Sequence, residues 1–236
     1  MGAKNCPETP RQKMINMMYI VLTAMLALNV AAEVLEAFRV VDASLMQTLK
    51  AVDMQNAQIS SSFEQAYAEN PTKVEEWKKK ADDVKQKSED MINYVSNLKD
   101  ELVTYSGSEE VSEENPTNDR NFYHVTSTGD TVKIVKQDDL NGPSEMMITQ
   151  GQATELKNTI VDYRNFLVSQ LSEDDTELIQ TILSELNTSN PKKRSKDEED
   201  SKTWESEHFE DKPLIAVLTP FPALIILTIF ANFCDG

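Results

Sequence analysis

Few side chains in this sequence are suited to covalent or metal chemistry. The histidines are His124 and His208, and Cys6 and Cys234 sit near opposite ends, so neither a metal-ligand spacing nor a disulfide framework is present. No Gly-rich phosphate loop and no nucleophile motif occurs. Carboxylates are plentiful, with 40 Asp plus Glu against 23 Lys plus Arg and a formal net charge of −17. In so acidic a chain, neighbouring carboxylates are expected on solvated helix faces. The expectation is a protein that is not an enzyme and uses no cofactor or metal.

What remains is the chemistry of polar groups in an apolar run. Between Lys13 and Glu33 lie nineteen residues without a charge, MINMMYIVLTAMLALNVAA. At about 1.5 Å per residue, a helix of that length approaches the thickness of a bilayer core. Asn16, Tyr19, Thr23 and Asn29 interrupt it, and in hydrocarbon such groups bond to neighbouring helices. The run has no Asp or Glu of its own to carry a proton.

Basic residues (Lys4, Arg11, Lys13) precede the run and Glu33 and Glu36 follow it, which predicts a cytoplasmic N-terminus and a body on the other side. By itself, Arg11 reads as a topology anchor. A cleaved signal peptide would share the basic flank, with Val30-Ala31-Ala32 as its cleavage site. The helical period nevertheless continues through Val34, Leu35, Phe38, Val41, Leu45, Leu49 and Val52, which favours a retained anchor. Three of the 23 basic residues and one of the 40 acidic ones lie in residues 1–32, so the rest carries 20 against 39, a net −19. Nucleic acid is excluded as a partner on that balance.

The elements that carry these groups read as long helices. Six glycines in 236 residues leave little turn chemistry for an all-β fold. The first helix is expected to run outward to about Ala66, where Asn70-Pro71 ends it. A second has apolar positions alternating by three and four at Val74, Trp77, Ala81, Val84, Met91, Val95, Leu98, Leu102 and Tyr105, with Ser88 in the one polar slot. This is a seam for a partner helix, within the chain or across a dimer. Thr72 and Glu75 read as its capping box and Gly107 as its stop. Residues 108–150 read as an acidic loop with a marginal hairpin over Asn121–Thr126 and Thr131–Val135. Helical period returns from Ala153 to Leu171, and a short helix is expected from Ser172 to Leu186.

The segment PRQKMINMMYIVLTAMLALNVAAEVLEAF, Pro10 to Phe38, resembles the N-terminus of the GldM family (PorM in non-gliding relatives) of the type IX secretion system. NPTKVEEW (Asn70–Trp77) and WESEHFED (Trp204–Asp211) extend the resemblance, which covers about residues 10–219. It implies an inner-membrane motor subunit: a membrane-helix homodimer inside a ring of GldL-like subunits, coupled to proton flow and passing motion to periplasmic and outer-membrane secretion components. It also implies that Arg11 pairs with a glutamate of the partner and that Tyr19 lies on the helix face within the ring.

The domain reading is then a cytoplasmic 1–13, a membrane helix 14–32, a periplasmic helical domain 33–212 and an apolar tail 213–236. The fold class is mainly α: one N-terminal transmembrane helix continuing into a periplasmic helical bundle, with a minor β-hairpin. The tail is free of charge over 213–234, but Pro220 and Pro222 interrupt it. It reads as a frameshift or fragment end, with a second span as the alternative. The rival function is a single-span periplasmic scaffold or sensor bundle with no motor role.

Overall fold

The computed structural model describes residues 9–111, 122–172, 174–191 and 202–219, apart from the side chains of residues 25–32. Its frame is a helical hairpin. Helix α1 (Pro10–Glu69) runs 60 residues without a break, a length of about 90 Å. Thr9 caps it, accepting a hydrogen bond from the Gln12 N–H at 3.4 Å, and Pro10 fills the first position, where a missing N–H costs nothing.

Asn70 alone separates α1 from α2 (Pro71–Ser106), because a residue before proline is pushed out of helical geometry. The expected capping box at Thr72 does not form: Pro71 already lies in the helix, so Asn70 holds the cap position and Thr72 is inside the first turn. Gly107 ends α2 at φ +98°, a backbone region that side chains disfavour.

The stripe that α1 turns inward is Leu35, Phe38, Asp42, Leu45, Leu49, Val52, Asn56, Ile59 and Phe63, each half-buried. Asp42 takes the slot that hydrophobicity alone assigned to Val41, which is 48% exposed. The steps from 38 to 42 to 45 keep the alternation of four and three that one helix face requires. On α2, Val84, Met91, Val95, Leu98 and Leu102 are all buried, with Val84 and Leu102 at 0% exposure.

The stretch 108–150, expected to be a loop with a marginal hairpin over 121–126 and 131–135, contains that hairpin and is otherwise more structured than expected. Strands β1 (Ser108–Glu110), β2 (Phe122–Val125) and β3 (Thr131–Ile134) form an antiparallel sheet in the order β1-β3-β2. Phe122 and Ile134 pair across β2 and β3 and turn into the core. Residues 112–121 lie outside the described set. Helix α3 (Asn141–Ser144) leads into a π turn (Glu145–Thr149) whose Met146 and Met147 are buried. Gly142 sits where α3 meets the end of α2: a Cβ there would stand 2.7 Å from Ser106 Oγ.

Helix α4 (Gln152–Gln170) packs along α2, and α5 (Thr176–Glu185) packs on α4. Between the facing helices, Ser88 Oγ donates to the Val84 carbonyl at 2.7 Å, so the Tyr163 hydroxyl donates to Ser88 Oγ, also at 2.7 Å. Helix α6 (Trp204–Phe209) is tied to α4 by Lys157–Glu205 at 3.0 Å.

Helix α7 (Leu214–Leu218) packs against α1, α2 and α3. Its Leu214 and Ile215 N–H groups donate to the Asp139 and Gln137 carbonyls. Leu214, Ile215, Val217 and Leu218 are buried, so the apolar run starting at 213 begins as part of the core rather than outside the body. Residues 220–236 lie outside the described set.

Candidate interaction surfaces

Three surfaces bring together the groups singled out above, and they lie at successive heights along α1. The first is its N-terminal part. Every described residue from 9 to 24 is exposed except Ile15 and Asn16, which are intermediate. Met14, Met17, Met18, Tyr19, Ile20, Val21 and Leu22 are therefore large apolar groups left exposed on the helix.

Gln12, Asn16, Tyr19 and Thr23 recur at steps of four, three and four, which places them on one stripe. Gln12 Nε2 donates to Asn16 Oδ1 at 3.4 Å, and Thr23 Oγ1 donates to the Tyr19 carbonyl at 2.7 Å. Arg11 is exposed and without a carboxylate partner among the described residues. Helical spacing puts it about 80° from Tyr19 and about 120° from Thr23 around the helix axis. The Asn29 side chain lies outside the described residues. Among those residues no helix is long and apolar enough to cross a membrane; the side chains of residues 25–32 of the expected span lie outside them.

The second surface is a charged junction where α1, α2 and the sheet meet. His124 on β2 bonds through Nε2 to Asp100 Oδ1 at 2.5 Å, and the Ser127 N–H donates to Asp100 Oδ2 at 2.8 Å. Burial raises the Asp100 carboxyl, but these bonds from Ser127 and His124 outweigh it and hold it below the usual carboxylate range. Asp42 behaves in the opposite way: burial pushes its carboxyl up, with Lys99 and then His124 opposing. Burial pushes the Lys99 ammonium below its usual value, with Asp42 opposing. One turn back on α1, Arg39 lies over the Phe122 ring at 5.6 Å and pairs with Glu36 at 2.9 Å.

Sequence reasoning missed this junction because its partners are 24 or more residues apart. The available signal was Asp42 itself, a carboxylate in phase with Phe38 and Leu45. Among the described residues no group of three or more His, Cys, Asp and Glu is arranged to hold a metal ion.

The third surface is the far end of the hairpin. The seam that is closed from Val84 onward opens here: Val74 is half-buried and Trp77 is 62% exposed. A groove of 610 Å³ runs past Ile59, Phe63, Val74 and Trp77. Another of 1010 Å³ opens between α2 and the α4–α5 connection, again beside Phe63 and Trp77. Thus, of the nine apolar seam positions, the structure buries Val84, Met91, Val95, Leu98 and Leu102 together inside one chain, leaves Val74 and Trp77 at an open end, and exposes Tyr105 at the other.

The body that carries these surfaces matches the GldM N-terminal domain over residues 33–224. The chain belongs to the GldM family. Membership places it among the components of gliding motility and type IX secretion. The match starts just beyond the charge-free run, so it takes in α1 from residue 33 onward and the rest of the body, and does not rest on residues 10–32. It ends at 224, within the apolar stretch that follows α7. No curated protein matches the chain.

Proposed function

We propose that this GldM-family chain is a motor subunit anchored in the inner membrane by residues 14–32, with its body in the periplasm. The supporting observation is the continuity of α1: one helix carries the bare apolar segment and, without a joint, the inward stripe of the body. A rotation or tilt imposed on the N-terminal segment would then reach the body through an unbroken ladder of hydrogen bonds, with no hinge to absorb it.

The bare segment needs cover on all sides. Lipid, a second α1 and a GldL-like partner with its own membrane helices together supply it. The chain brings no acidic group to the span, so the proton-responsive carboxylate belongs to the partner. Arg11 would hold that carboxylate ionised; protonation would release it and change which helix packing is preferred. Asn16, Tyr19 and Thr23 form the stripe that bonds across helices, with Asn29 further along the same run. The chain works mechanically, not as an enzyme, and transmits motion to periplasmic and outer-membrane secretion components.

Co-purification with a GldL-like inner-membrane protein of the same cell tests this reading, comparing wild type with Arg11→Ala. The expected result is a stable complex whose assembly or proton-driven activity depends on Arg11. Absence of any complex with either version would reduce the chain to a scaffold or sensor bundle.

A further inference from the structure

The small sheet carries its own bonds. Strands β2 and β3 pair from Phe122↔Ile134 to Val125↔Thr131. The turn between them closes on itself: the Thr126 N–H donates to the Asp130 carbonyl at 2.8 Å and the Gly129 N–H to the Thr126 carbonyl at 2.9 Å. Strand β1 pairs on the other side of β3, where Lys133 meets Glu109 at 3.3 Å. Gly107, at φ +98°, is the single residue between α2 and β1.

The ties from this sheet to the helices are of another kind. Two hydrogen bonds join the hairpin to α2, from His124 at 2.5 Å and from the Ser127 N–H at 2.8 Å, and both end on the Asp100 carboxylate. On the α1 side, the Arg39 guanidinium lies over the Phe122 ring at 5.6 Å, and Asp42 interacts electrostatically with His124. Phe122 and Ile134 are the buried apolar anchors. Strands of three or four residues, held down by one carboxylate, one cation–π contact and two core side chains, form a unit that opens at less cost than the whole fold. The hold on the base of α1 is shallow as well. Leu35, Phe38 and Asp42 are half-buried, and none of the described residues of α1 is buried, whereas α2 and α4 are anchored by buried side chains.

We propose that the three-stranded sheet is a clutch on α1. Closed, it holds the base of the helix to α2 through Arg39–Phe122 on one side and His124–Asp100 on the other. Open, it swings as a unit about Gly107, its internal bonds intact, and frees that base while α2 and α4 stay packed. The clutch deepens the lever reading of α1 given above: motion of α1 passes to the body when the sheet is closed and is lost when it is open.

Hydrogen exchange of the full chain in detergent tests the opening, and thiol labelling of Leu35→Cys in a Cys6→Ser, Cys234→Ser background tests the release of α1. In the wild type, amides of residues 122–134 should exchange faster than those of 153–167 on α4, as an opening short of global unfolding requires. Asp100→Asn removes the charge that both hydrogen bonds use. It should speed exchange over 122–134 about tenfold and raise labelling of Leu35→Cys in step, with α4 unchanged. Arg39→Ala, which leaves the buried core intact, should raise both as well. A sheet that exchanges at the rate of α4 overturns the clutch, because it then opens only with the whole fold. A faster sheet with unchanged labelling of Leu35→Cys also overturns it, because the sheet then does not hold α1. Either result leaves the membrane-anchored lever standing, since neither readout depends on what drives α1.

Discussion

From Val84 to Leu102 the apolar stripe of α2 is covered by the body of its own chain, and Ser88 in its one polar slot is hydrogen-bonded to Tyr163. From Val74 to Ala81 the stripe keeps the same spacing, yet Trp77 stands 62% exposed between two grooves. The inner half is core and the outer half is surface, although both satisfy one heptad pattern. The difference lies in the neighbours. Helix α4 runs alongside the inner half, then ends at Gln170, and the chain turns through Leu171 and Ser172 into α5. A repeat of apolar residues therefore establishes that a helix has a face to bury, and the lengths of the neighbouring elements decide what buries it.

The comparison can be broken by substitution, and the expected effects fall in a definite order. Leu102→Ala removes a fully buried side chain and should cost about 3 kcal/mol of unfolding free energy, the transfer term plus the cavity. Urea unfolding followed by circular dichroism in detergent measures it. A cost below about 1 kcal/mol would show that the inner seam is not a packed core.

Asp42→Asn comes next, because it leaves the Lys99 ammonium desolvated without its counter-charge. We expect a loss of about 2 kcal/mol. Adding Lys99→Met should recover most of it, since replacing both members of a buried pair by uncharged groups is often close to neutral.

Tyr163→Phe removes the donor to Ser88 and should cost about 1 kcal/mol at neutral pH. It also has a pH signature. Burial pushes the Tyr163 hydroxyl from 10.0 up to about 12, so the folded state favours the neutral phenol. The associated stability is fully present below pH 10 and is lost as pH rises through about 12. Unfolding scans across that window should show a steeper loss in wild type than in Tyr163→Phe, and parallel curves would contradict the assignment.

Asn56→Leu should stabilise by up to about 1 kcal/mol, because the buried Asn56 Oδ1 has no hydrogen-bond partner among the described residues. Smallest of all, Trp77→Ala should change monomer stability by less than about 0.5 kcal/mol, as expected for an exposed site. It is to be measured at concentrations where the chain is monomeric. A cost matching that of Leu102→Ala would erase the distinction between the two halves of the seam.

The amino-acid sequence alone determined what depends on neighbours along the chain. The charge-free run, the long helices, the sharp break at Asn70-Pro71 and the stop at Gly107 all follow from period, charge and the backbone limits of proline and glycine. The stripe of α4 over Ala153, Leu156, Ile160, Tyr163 and Leu167 is buried as its spacing required. Tertiary structure decided what depends on residues far apart. Asp42 joins a charged junction with Lys99, Asp100 and His124, while Val41 remains at the surface. The hairpin read after Gly107 widens into a three-stranded sheet because Ser108 pairs with Ile134, a match of short strands that local propensity is too weak to specify. Leu214–Leu218 become core because the Asp139 and Gln137 carbonyls accept their first N–H groups. Local pattern sets the form of each element, but burial is a property of pairs of surfaces, and those meet only when the chain has folded.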